Sequence, residues 1–236
     1  MGSRKAFIAV ALGAAMLGPA LAGHPLQTED AGVLERGDCE LEAVAERVAS
    51  SSPTQHEQAV VVGCGVGARS QLALEAGRAR EDGFTGRALA LGGKTRLWRG
   101  GEDETAPTLT LAWALGWDRA DGGGWQQGTR AAALVVSAPL SERWVGHANL
   151  GHERDHAAGQ GLTAWALALE HVGLDLAGLR WAPMAELTGD DRGAPAWGLA
   201  LRLTLSPDRA WLGLAHGRSI ETARSARTSL GVKLAF

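Results

Sequence analysis

The chain has 236 residues, 45% of them hydrophobic by type, with 23 Lys plus Arg against 26 Asp plus Glu and a formal net charge of −3. A mildly acidic chain without a basic run offers no surface for nucleic acid. After residue 22 no apolar stretch approaches the roughly 18 residues of a membrane-spanning helix, which excludes a multi-helix membrane protein.

Arg4 and Lys5 precede an apolar run from Phe7 to Leu17, followed by Pro19 and the small-residue site Ala20-Leu-Ala22. This reads as a secretory leader, residues 1–22, too short to span a bilayer. Its cleavage removes two basic residues and no acidic one, taking the net charge from −3 to near −5. Residues 23–37 show no periodicity and read as either a periplasmic lead-in or an inserted plug.

From residue 38 onward short alternating stretches recur, each with one apolar face. Six run Cys39–Val48, His56–Cys64, Ser70–Arg80, Gly86–Trp98, Leu109–Trp117 and Thr129–Ser137. Six more run Trp144–His152, Leu162–Glu170, Leu179–Leu187, Ala196–Leu205, Ala210–Arg218 and Ser229–Phe236. The first of these also suits a short amphipathic helix by propensity, which would leave the count odd. In the last, Leu230, Val232, Leu234 and Phe236 share one parity and the chain stops on the aromatic, as outer-membrane barrels end. Residues of one parity point to one face of a strand. A bilayer offers the backbone no water, so such a sheet must close and leave no edge. The expectation over 38–236 is therefore all-β: a single antiparallel transmembrane β-barrel of about 12 strands, with 10 or 14 as alternatives.

The connections partly sort into tight turns (65–69, 138–142, 206–209) and longer polar loops (118–128, 153–161), which in bacterial barrels are periplasmic and extracellular, with 99–107, long at the tight-turn rim, and 50–53, short at the other, breaking the trend. Trp98, Trp117, Trp144 and Trp211 lie near strand ends and fit an interfacial aromatic girdle, although Trp98 has inward parity. A hairpin about residues 50–53 sets Cys39 opposite Cys64 in an oxidising compartment, leaving a disulfide or two reduced thiols at the rim. The inward parity collects Lys94, Arg96, His147, Asn149, Glu170, Arg180, Glu186, Arg202 and Lys233. These either line a conducting lumen whose cations favour anions, or interlock as a salt-bridged core that fills a narrow barrel.

His152-Glu-Arg-Asp-His156 matches HExxH, in which a helix sets two histidines one turn apart on zinc. Gly151 and Ala157-Ala-Gly159 bound that segment, so a strand end is the preferred reading and a secreted metalloprotease a remote one. No metal site and no cofactor are expected.

The order of Gly23-His-Pro-Leu-Gln-Thr-Glu-Asp-Ala-Gly32, Glu40-Leu-Glu42, Gly93-Lys-Thr-Arg-Leu-Trp98, Leu201-Arg-Leu-Thr-Leu-Ser-Pro-Asp-Arg209 and Gly231-Val-Lys-Leu-Ala-Phe236 resembles a bacterial outer-membrane family associated with meta-pathway phenol degradation. The resemblance spans residues 23–236 and implies a transporter-like barrel. The chain departs from that family in lacking tyrosine and in carrying Gly116-Trp-Asp-Arg-Ala-Asp-Gly122 at the end of the fifth stretch. The expected function is a passive channel or uptake component for small solutes, aromatic ones if the resemblance extends to cargo. The alternative is a structural or surface-enzymatic barrel with a plugged lumen. Expected partners are outer-membrane lipid of a Gram-negative bacterium, the barrel-assembly machinery reading Phe236 and the last strand, and a small-molecule solute.

Overall fold

The computed structural model describes residues 25–49, 54–103, 106–207, 209–221 and 225–236; the predicted leader lies outside them. The described residues contain no helix. The strands are β1 (Cys39–Ala49), β2 (Gln55–Gly67), β3 (Ser70–Glu81), β4 (Phe84–Arg99), β5 (Thr108–Ala120), β6 (Gln126–Ser141) and β7 (Trp144–Asp155). They continue as β8 (Gln160–His171), β9 (Leu174–Leu176), β10 (Leu179–Asp190), β11 (Ala196–Ser206), β12 (Ala210–Ser219) and β13 (Ala226–Ala235). Every strand but β9 pairs antiparallel with its neighbours, and β1 pairs with β13, so twelve strands close a ring. β9 pairs only with the start of β10, outside the ring.

The helical alternative for the first stretch fails because β1 is held on both sides, by β13 and by β2. The β1–β2 register sets Cys39 against Cys64, Leu41 against Val62 and Ala43 against Val60. The two cysteines form a disulfide, with a Cα–Cα distance of 4.1 Å. The ring is also closed at the chain's end, where Cys39 and Phe236 exchange backbone hydrogen bonds of 2.9 Å in both directions.

Side chains divide by parity. Leu74, Leu89, Leu134, Leu150, Leu167, Leu199, Leu214 and Leu230 point outward and are exposed, as a lipid-facing wall requires. The charged side chains at outward strand positions are arginines: Arg47, Arg78, Arg80, Arg87, Arg119, Arg130, Arg154 and Arg218. All sit near the rim remote from the barrel's own termini, Cys39 and Phe236.

Three sequence expectations change, and the strand reading of HExxH holds. The connections at 118–128 and 153–161 shrink to 121–125 and 156–159 because the strands run past their apolar cores, while the longest, 100–107 and 172–178, lie at the rim of the termini. The length sorting predicted for the two rims therefore fails. Trp98 is not inward: a bulge between Arg96 and Trp98 inserts Leu97 and flips the parity, so Trp98 opposes outward Leu109 and is 54% exposed. Trp211, placed in the girdle, instead opposes inward Lys233 and lines the interior. His152 through Asp155 belong to β7, which sends His152 outward to Thr163 Oγ1 (3.2 Å) and leaves His156 in the following turn. The helix face that HExxH needs does not exist.

Candidate functional site in the barrel lumen

A ring of twelve strands has room inside for more than its own side chains, and here small residues enlarge that room. Inward positions on β4, β5, β8, β10 and β11 carry Ala88, Ala90, Ala112, Ala114, Ala166, Ala168, Ala182 and Ala200, all buried. The chain's own N-terminal segment packs on five of them, Ala112, Ala114, Ala168, Ala182 and Ala200. Leu26 sits in a socket of Ala168, Ala182, Met184 and Ala200, and Ala31 packs on Ala112, Ala114 and Val135.

Between these two apolar anchors, wall side chains take up the segment's backbone groups, which have no ladder of their own. Glu186 Oε2 accepts from the amides of Gln27 (2.8 Å) and Thr28 (3.0 Å) and from Thr28 Oγ1 (3.0 Å). With its amide oriented to satisfy both partners, Asn149 donates to Glu29 O (3.0 Å) and accepts from Glu29 N (2.6 Å). The Ala31 amide donates to Ser137 Oγ (2.8 Å), and Thr110 Oγ1 donates to Ala31 O (2.7 Å). Further along, the Leu34 amide donates to Gln71 Oε1 (2.8 Å). Arg36 then bridges to Gly65, where a Cβ would lie 1.9 Å from Glu35 O, so only glycine lets the segment lie on the wall there.

Lys94 is the electrostatic centre of this contact. Its ammonium pairs with Glu29 and donates to Asp30 O (3.2 Å) and Gly32 O (3.3 Å). Burial pushes the Glu29 carboxyl up, against the opposing pull of Lys94. Desolvation would also raise Asp30, but the ammonium groups of Lys94 and Lys233 hold it well below the usual carboxylate range.

The other residues singled out by parity fall into three groups. His147, Glu170 and Arg202 form one network: Ser137 Oγ bonds His147 Nδ1 (2.8 Å), His147 Nε2 lies 3.5 Å from Glu170, and Glu170 pairs with Arg202. The order Ser137, His147, Glu170 has the sequence of a nucleophile, base and acid. Ser137, however, already accepts from the Ala31 amide, so the relay holds the segment to the wall. Arg96 faces Glu35 at 3.6 Å, and Lys233 pairs with Glu40 at 2.6 Å. Arg180 is the exception: at the start of β10 it is exposed and donates to Val172 O (3.0 Å), bracing the rim hairpin rather than lining the lumen.

The parity reading left out the acids of β1–β3, although the same rule finds them. Glu42, Glu46, Glu57 and Glu75 all point inward, Glu46 paired with Arg227 at 2.5 Å and Glu57 accepting from Gln55 Nε2 at 2.6 Å. Both carboxylate oxygens of Glu75 are buried without a hydrogen-bond partner among the described residues. One side of the lumen is thus acidic and the other alanine-lined.

A closed twelve-stranded ring with an apolar outside and a charged inside defines an outer-membrane-type β-barrel. The chain matches the family described as "Uncharacterised conserved protein UCP029691" over residues 10–236, and it belongs to that family. The association with phenol degradation suggested by motif order is not part of that description. No curated protein matches the sequence. Among solved structures, the barrel is similar to KdgM porin in complex with disordered oligogalacturonate, with TM-score 0.57 and 8% identity over 84% of this chain and 99% of that one. It is similar to the translocator domain of autotransporter NalP from Neisseria meningitidis, with TM-score 0.58 and 10% identity over 98% and 97%. It is also similar to the COG4313 outer membrane channel from Pseudomonas putida F1, with TM-score 0.54 and 13% identity over 88% and 98%. At such identities the likeness is one of fold.

Proposed function

We propose that the protein is a passive outer-membrane channel for small solutes, with residues 25–36 as its constriction. The observation that carries this reading is the position of the segment between cavities. A cavity of about 850 Å³ at the rim of the termini is bounded by Asp30 and Leu34. Two of about 360 and 350 Å³ toward the opposite rim are bounded by Gln27, and by Gln27 with Glu29. An even number of strands brings the start of β1 and the end of β13 to one rim, which in bacterial barrels faces the periplasm. The predicted leader fits this route.

Lys94, Arg96 and Arg202, from which an anion preference was drawn, are spent on Glu29, Glu35 and Glu170, whereas Glu57 and Glu75 point inward with no ion pair among the described residues, which favours cations. If the solute is aromatic, as the motif resemblance implies, its contact is Trp211, which lines the larger cavity with Arg202 and Lys233. The barrel-assembly machinery would read the last strand, whose Phe236 is 73% exposed at the rim. The runner-up is a closed structural barrel, favoured by the number of hydrogen bonds that tie the segment down.

Single-channel recording in planar bilayers of the protein lacking residues 1–22 separates the two. The channel reading expects small, cation-preferring steps, enlarged several-fold by Lys94→Ala, which frees Glu29, or by deletion of residues 25–34. A barrel that folds yet stays silent in all three forms is a structural barrel, and the channel reading is lost.

A further inference from the structure

The arginines on the outer wall have no role in the lumen and no counter-charge. Arg78, Arg87 and Arg119 stand in one row across β3, β4 and β5, Arg78 opposite Arg87 and Arg87 opposite Arg119. Arg130 on β6 stands opposite Arg154 on β7. Like charges placed directly opposite on one sheet face repel. Among the described residues the ion pairs of the barrel all involve inward cations or the N-terminal segment, and none includes these five. Arg130 donates only to Gln127 Oε1 (3.0 Å), and Arg119 lies under the Trp125 ring at 5.9 Å. No Asp or Glu occupies an outward strand position. Repulsion held in the fold without an internal partner calls for an anionic partner from outside.

We infer that this arginine belt binds the phosphorylated headgroups of lipids in the leaflet at the rim remote from the termini. Each guanidinium offers a planar fork that matches phosphate in bidentate fashion, and its long stem lets the charge reach the headgroup level from a lipid-facing Cα. The row across β3–β5 spans three strands spaced about 4.8 Å apart, so neighbouring arginines can grip one phosphate or two on the same headgroup. This rests on the outer-membrane placement proposed above but not on conduction.

The test is binding of bis-phosphorylated lipid A to the detergent-folded, leader-free protein, followed by native mass spectrometry. The wild type should retain lipid A, and the triple variant Arg78→Gln, Arg87→Gln, Arg119→Gln should bind it at least 10-fold more weakly. The matching Arg→Lys triple should recover most of the loss. Lipid A stripped of phosphate should bind the wild type as weakly as the Gln triple binds the intact lipid. Heat-modifiable gel mobility and insertion into vesicles, read on the same samples, report the fold. A Gln triple that inserts and binds lipid A like the wild type overturns the belt alone, as does displacement of lipid A by inorganic phosphate at equal molarity. A wild type that does not insert overturns the membrane placement and the belt together.

Discussion

Inside the barrel Lys94, Arg202, Arg227 and Lys233 each sit against a carboxylate, whereas on the outside Arg78, Arg87 and Arg119 stand in one row with none. The residue types are nearly the same; the side of the wall differs. A lumen filled by its own chain leaves a charge little water, so each cation there must meet a protein anion or lose its solvation uncompensated. An outward arginine near a rim can extend to the interface, where its charge is cheap, so the protein need not pair it.

Moving a charge between these environments should therefore cost most at the outer midwall. Leu74, 64% exposed and opposed by Val62 and Leu91, is the place to try. Leu74→Arg should lower the stability of the vesicle-inserted barrel by about 2–4 kcal/mol, read from the urea midpoint. An unshifted midpoint would mean that the outer face is not lipid-facing there. At the rim of the termini a covalent link, not charge, joins β1 to β2. The Cys39→Ala, Cys64→Ala pair should cost about 2–3 kcal/mol from a bond across 25 residues, and reducing agent should reproduce most of that loss in the wild type.

The inner network comes next. Arg202 and Glu170 are only partly shielded, so a double-mutant cycle with Arg202→Met and Glu170→Gln should return a coupling of about 1 kcal/mol. A coupling of zero would make the lumen pair ornamental and weaken the contrast with the outer wall. The smallest effect belongs to the belt: in neutral detergent, without phosphorylated lipid, Arg78→Gln should change stability by no more than about 0.5 kcal/mol, and toward greater stability because it relieves the Arg87 opposition. A large loss would mean that Arg78 has a partner within the protein.

Much of the wall was legible along the chain because strand parity is a local property. The apolar faces, the Cys39–Cys64 register, the closing strand and most inward charges follow from counting residues by two. Counting failed where something other than sequence position set the side. The bulge after Arg96 reversed Trp98, and the pairing of Trp211 with Lys233 put an expected girdle residue into the lumen. Arg180 has inward parity, yet the β9 hairpin draws it to the rim.

The sequence alone thus determined an antiparallel wall with one face for lipid and one for charge, since alternation is dictated by backbone geometry residue by residue. Only the tertiary structure decided what fills the interior. Residues 25–36 have no periodicity to announce a destination; their place is set by two alanine-lined sockets, by Gly65, and by six strands whose polar side chains converge on backbone groups far away in sequence. Closure of the ring brings those partners together, and no local rule can read it.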